Sequence, residues 1–191
     1  MAPNIAIVYF SAYGHVATLA EAEKKGVEAA GGKATILRID GAHAGAGAYD
    51  VVTPKDLLNY DGILFGIPTR FGNHPAQWRE FWDKTGGIWQ SCGYWGKYAG
   101  LFISTGTQGG GQESTALATL STFAHHGLIY VPLGYKHTSA QLANLDEIHG
   151  GSPWGAGSFA AGDGSRQPTK LELEIAEAQG KAFYETVAKA V

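Results

Sequence analysis

Short apolar runs alternate with amphipathic stretches along the chain, and this alternation leaves few folds open. Ile5-Ala6-Ile7-Val8-Tyr9-Phe10 is apolar and β-rich throughout, as a strand covered on both faces must be. A helix is expected from about His15 to Ala30. The pattern repeats with strands at Ala34–Ile39 and Asp61–Pro68, a short helix between Pro54 and Tyr60, and a helix over Pro75–Lys84. Further strands are expected at Ala99–Ser104 and Leu128–Leu133, with a helix near Gln112–His126 between them. A last helix spans roughly Thr169–Ala190, with Leu171, Ile175, Ala178, Ala182 and Val187 as its buried stripe. Five strands alternating with helices predict an α/β chain with a parallel sheet.

Composition narrows the functions. Of 191 residues, 45% are hydrophobic and 16% charged, which fits one compact domain over 1–191. The net charge of −3 provides no basic field for a nucleic acid backbone. The one cysteine, Cys92, fits a reducing compartment and is expected to be structural. Neither a signal peptide pattern nor a membrane-spanning run is present, so a cytoplasmic chain without stable membrane insertion is expected.

In an open parallel sheet, ligands bind beyond the carboxyl ends of the strands. Three loops there are polar and glycine-bearing: Ser11-Ala12-Tyr13-Gly14-His15-Val16, Thr69-Arg70-Phe71-Gly72-Asn73, and Ser104-Thr105-Gly106-Thr107-Gln108-Gly109-Gly110-Gly111. The first joins a buried strand to a helix, where backbone N–H groups and the helix dipole receive a phosphate. It matches neither the nucleoside triphosphate loop nor the dinucleotide fingerprint, so a monophosphate is the better fit. Alone, it reads equally as a serine cap with a glycine turn. The glycine run of the third loop lets backbone approach a flat ligand; alone, it also reads as a surface turn. The three together favour a ligand.

Tyr13, Phe71, Trp89, Tyr94 and Trp95 lie in or after these loops, where a planar ligand finds aromatic neighbours. Trp78, Phe81 and Trp82 share one helical face and belong to the core, whereas Trp89 reads equally as core or ligand contact. The seven histidines show no metal-ligand spacing.

Six stretches carry a family resemblance: SAYGH at Ser11–His15, GIPTRFGN at Gly66–Asn73, TGGIW at Thr85–Trp89, STGTQGGGQE at Ser104–Glu113, AHHG at Ala124–Gly127 and GDGSRQP at Gly162–Pro168. In these the chain resembles, nearly end to end, the WrbA-type NAD(P)H:quinone oxidoreductases, which include fungal benzoquinone-reductase-like proteins. The resemblance implies a flavodoxin-like fold, a five-stranded parallel sheet in the order 2-1-3-4-5 with helices on both faces. It implies FMN as cofactor, with its phosphate held by Ser11, Ala12, Tyr13, Gly14, His15 and Val16. Pro68, Thr69, Arg70, Phe71 and Gly72 would run along the ribityl chain and the isoalloxazine. Ser104, Thr105, Gly106, Thr107, Gln108, Gly109 and Gly110 would cover its other side.

The same resemblance places His125 at the flavin and assigns Tyr13 and Trp89 to the space where nicotinamide and quinone bind. It implies a ping-pong exchange in which NADH or NADPH reduces the flavin and a quinone then reoxidises it. It also implies a homotetramer or homodimer, with the long loop ending in GDGSRQP serving assembly. Two departures stand out. Gln108 lengthens the third loop by one residue relative to the bacterial pattern, and Gly41–Thr53 is shorter than its bacterial counterpart. The rival reading is a flavodoxin-type electron carrier that docks protein partners, and a further one is an FMN-retaining regulatory protein without useful catalysis.

Overall fold

A computed structural model describes residues 2–45 and 47–191. Met1 lies outside the described residues, as does Ala46 in the glycine-rich Gly41–Gly47 segment, expected from its composition to be mobile. Strands β1 (Asn4–Tyr9), β2 (Lys33–Arg38), β3 (Gly62–Pro68), β4 (Tyr98–Thr105) and β5 (Ile129–Tyr130) form a sheet in the order β2-β1-β3-β4-β5. All its pairings are parallel. This is the expected flavodoxin-like arrangement, with one addition: strand β6 (Gly157–Phe159) pairs with β4.

The sixth strand lies inside the stretch expected to be a long loop, and it explains why β5 stops after two residues instead of reaching Leu133. β5 pairs with the start of β4, Tyr98 and Ala99. Val131 donates a last bond to Ala99 O at 2.8 Å, and then Pro132 has no N–H to continue the ladder. The free end of β4, Ile103–Thr105, is taken by β6.

Helices α1 (His15–Ala29) and α6 (Lys170–Val187) cover one face of the sheet; α2 (Ala76–Asp83) and α4 (Gln112–His126) cover the other. Alternation along β3 shows the division. Cβ atoms at Gly62 and Gly66 would meet Phe183 of α6 and Val16 of α1, respectively. Phe65 packs instead against Trp78 and Trp82 of α2 and Phe123 of α4. Trp78, Phe81 and Trp82 are buried as expected, and the Trp78 indole N–H donates to Gly66 O at 3.1 Å. Two short helices, α3 (Gly86–Gln90) and α5 (Ser139–Leu142), were not anticipated, and a 3-10 turn at Pro54–Asn59 was.

Two expectations need correction here. The buried stripe of α6 is Glu172, Ile175, Ala176, Gln179, Gly180, Phe183, Tyr184 and Val187, while Leu171, Ala178 and Ala182 are half-buried. Cys92 is exposed, with φ 56°, so it is not a packed structural thiol.

Candidate functional site

The phosphate-type loop takes its shape from Gly14, whose φ of +98° a side chain rarely adopts. Space is not the constraint, since a Cβ there would make only ordinary contact at 3.6 Å with the ring of His43, whose N–H donates to Ser11 O and whose carbonyl accepts from Tyr9 Oη. Ser11 is buried and its Oγ accepts from the Gly14 N–H at 3.0 Å. Ser11 therefore shapes the loop without capping the helix: no side chain caps α1. The N–H groups of its first turn remain available where the dipole is positive. His15, only 4% exposed, encloses an Nε2 atom with no hydrogen-bond partner among the described residues.

A cleft of about 330 Å³ opens at this helix start, across the carboxyl ends of β1, β3 and β4. Ser11, Ala12, Tyr13, His15 and Val16 line it from the first loop, Pro68, Thr69 and Arg70 from the second, and Ser104, Thr105 and Gly106 from the third. The loops are joined beneath: Thr69 N–H donates to Ser104 O at 2.8 Å, and the Thr69 and Thr115 hydroxyls lie 3.0 Å apart. Tyr13 stands at the cleft with 71% of its surface exposed. An uncapped helix start, an enclosed polar atom without a partner and convergent hydroxyls fit a flat ligand carrying a phosphate.

Part of the second loop projects past the cleft. Arg70 and Asn73 exchange backbone bonds of 2.8 and 3.0 Å around Phe71 and Gly72, whose φ values are 53° and 72°. Two consecutive left-handed residues make a type I′ turn, and Phe71 accepts this strain while its ring is fully exposed. His74 anchors the turn to α4. Thr119 Oγ1 donates to Thr115 O at 2.7 Å, so it accepts from His74 Nε2 at 2.9 Å, and this fixes the tautomer. Burial, with Arg79 second, lowers the His74 pKa to about 4.

Several expected residues do not line this cleft. Thr107–Gly110 folds back through a Gly110 N–H to Thr107 O bond of 3.0 Å, so Thr107 and Gln108 stay outside. Gly109 and Gly110 line a separate groove with Ser114 and Phe159. Trp89 lies on α3, 55% exposed, and His125 is exposed at the end of α4. Neither lines the cleft of its own chain. Tyr94 is a core residue whose hydroxyl donates to Pro54 O at 2.6 Å. His126 is also buried; its Nε2 donates to Thr85 Oγ1, which donates onward to Trp82 O. Burial, then the neighbouring His125, lowers the His126 pKa.

A fourth wall was missed in the sequence. Ala160, Ala161, Gly162, Asp163 and Gly164 line the cleft, carried there by β6, and Ala160 N–H donates to Thr105 O at 2.8 Å. Asp163 accepts from both the hydroxyl and the N–H of Ser165, which lower its pKa. The GDGSRQP motif was the available signal, and its first three residues, Gly162, Asp163 and Gly164, line the cleft.

The fold and this cleft define a flavodoxin-like protein. A bacterial WrbA-like flavodoxin from Agrobacterium tumefaciens superposes with a TM-score of 0.72 at 24% identity, covering 98% of each chain. The minor allergen Alt a 7 of Alternaria alternata is 59% identical over 100% of this chain and 99% of its own. The NAD(P)H quinone oxidoreductase PST3 of Candida albicans is 57% identical over 99% of this chain and 100% of its own. No protein-family model matches the chain. With relatives this similar over their whole length, the chain belongs to the WrbA-type NAD(P)H:quinone oxidoreductase family.

Proposed function

We propose that the chain is a single FMN-binding domain that reduces quinones with NADH or NADPH by a ping-pong exchange. The observation that carries this reading is the cleft at the uncapped start of α1, with Ser11 and the enclosed His15 beside it. The N–H groups of the first helical turn bind the phosphate, and Thr69, Arg70 and Pro68 run along the rest of the cofactor. The chemistry FMN supplies when bound is two-electron transfer, from NADH or NADPH in one encounter and to a quinone in the next. Arg70 offers positive charge beside the cleft, and Tyr13 orients planar substrates by stacking. The PST3 relative is named an NAD(P)H quinone oxidoreductase, which supports the same substrates here.

Trp89 and His125, lying outside the cleft of their own chain, act in this reading at the cleft of a neighbouring copy in a homotetramer or homodimer. Among the described residues no helix is long and apolar enough to cross a membrane, and the solitary cysteine favours the cytoplasm.

The test is an anaerobic titration of FMN-loaded protein followed in the visible spectrum. NADH or NADPH is expected to bleach the flavin, and benzoquinone to restore it rapidly. Flavin that stays oxidised with both nucleotides overturns the reductase reading in favour of an electron carrier. Failure to take up FMN overturns the cleft assignment.

A further inference from the structure

The fourth wall is a half-buried loop with Gly162 and Asp163 exposed at its tip, and its base is pinned outside the cleft by an ion pair whose carboxylate is buried. Glu172, on the first turn of α6, has a fully buried side chain. Its Oε1 accepts from the N–H groups of Gly150 at 2.8 Å and Phe159 at 3.3 Å, and its Oε2 from Thr169 N–H at 2.8 Å. Arg166 Nη1 reaches both oxygens at 3.1 Å. The same guanidinium donates to Phe159 O at 2.6 Å and to Ile148 O at 2.9 Å, and Arg166 N–H donates to Ala160 O at 3.0 Å.

Phe159–Ala160 and Arg166 are the two ends of the wall segment, and these bonds hold them together. A neutral side chain at position 172 would leave buried donors aimed at a weaker acceptor, and an apolar one would leave them with none. Neither Arg166 nor Glu172 lines the cleft. Helix capping alone does not require this arrangement, because Thr169 and Glu172 complete the capping box of α6 without Arg166.

We propose that Arg166 and Glu172 are positioning residues: their clamp sets the pose of Ala160–Gly164 and through it the affinity of the cleft for FMN. The proposal rests on the flavin reading above. With the clamp opened, the wall samples many conformations, and binding must first order it.

The test compares Arg166→Gln, which leaves Glu172 its three backbone donors, with Val187→Ala, at the far end of α6 about 20 Å away. Both are made in the full chain, with Glu172→Gln as a second clamp variant. In flavin-free protein, amide hydrogen exchange of residues 160–165 is expected to be about tenfold faster in Arg166→Gln than in wild type, and unchanged in Val187→Ala. Fluorescence titration with FMN is expected to give a Kd raised about tenfold in Arg166→Gln, against less than about twofold in Val187→Ala. Both variants are expected to melt at lower temperature, so the melting point alone does not separate positioning from general stability. Equal exchange of 160–165 in the two variants overturns the clamp. A freed wall with unchanged Kd overturns its link to the cofactor. A wild-type chain that takes up no FMN overturns the flavin reading, while the exchange comparison still decides the clamp.

Discussion

Glu23 is fully buried on α1, and neither of its carboxyl oxygens has a partner among the described residues. Burial raises its pKa well above the usual value, so the folded chain holds it protonated where the unfolded chain would ionise it. Stability from this group is present at low pH and declines as pH rises above about 4.5. Glu23→Met, similar in volume and without polar atoms, is therefore expected to stabilise the protein by about 1–3 kcal/mol at pH 7. The gain should shrink as pH falls toward 4.5; urea unfolding at several pH values measures it, and a loss at pH 7 refutes the argument. His74 works in the opposite direction. With its pKa at about 4 in the folded state, its contribution is complete above about 6.5 and is lost as pH falls from there through 4. His74→Gln, which keeps a donor toward Thr119 and does not titrate, should flatten the stability profile across that window, by an amount on the order of 3 kcal/mol at most. Neither group was legible in the sequence, because a histidine or glutamate shows its burial only after the helices are packed. Gly14 was legible, since a glycine between a buried strand and a helix already implies a special backbone conformation.

At the scale of elements, α1 and α6 meet backbone to backbone. A Cβ at Gly26 would lie 1.9 Å from Glu177 O, and one at Gly180 would lie 2.0 Å from Glu23 O. Helix propensity alone favours Gly180→Ala by about 1 kcal/mol, but main-chain oxygen cannot swing aside as a side chain would. The expected outcome is a net loss of about 2 kcal/mol or more, seen as a lower urea midpoint with an unchanged slope. A raised midpoint would show that the helices separate without cost. This contact also explains why the stripe of α6 was misjudged. Apolar periodicity points to Leu171, Ala178 and Ala182, yet the helix turns Gly180 and two polar residues, Glu172 and Gln179, inward. Gln179 gives its Nε2 to Leu101 O at 2.9 Å and takes the Ala156 N–H at 2.7 Å, holding the segment before β6 against β4. Strands β1, β3 and β4 were legible because they are covered on both faces and largely apolar, and the edge strand β2 because Ile36 and Leu37 form an apolar pair within a short β-rich run. β6 was not: it is three residues long, reads Gly-Ser-Phe, and exists because β5 leaves half an edge of β4 unpaired.

At the scale of the molecule, several large apolar side chains lie on the surface. Phe71, Trp95, Tyr13 and Trp89 are exposed, and the outer face of α4 presents Leu117, Ser121 and Ala124 between the exposed Glu113 and His125. The assembly proposed above would cover some of these side chains. The cleft, by contrast, is built from a single chain, whereas Trp89 and His125 lie outside it. Cofactor binding and turnover should therefore respond differently to assembly. Light scattering is expected to give the wild-type chain a mass that is a multiple of 20.1 kDa. Leu117→Glu, which places charge on the α4 face, should shift the population toward smaller species. FMN affinity should stay within about twofold, since no cleft residue changes, while quinone turnover falls by about tenfold as neighbouring aromatics are withdrawn. A wild-type chain that is monomeric at full turnover would remove any role for a neighbour, and Trp89 and His125 would then have to reach their own cleft by movement of α3 and the end of α4.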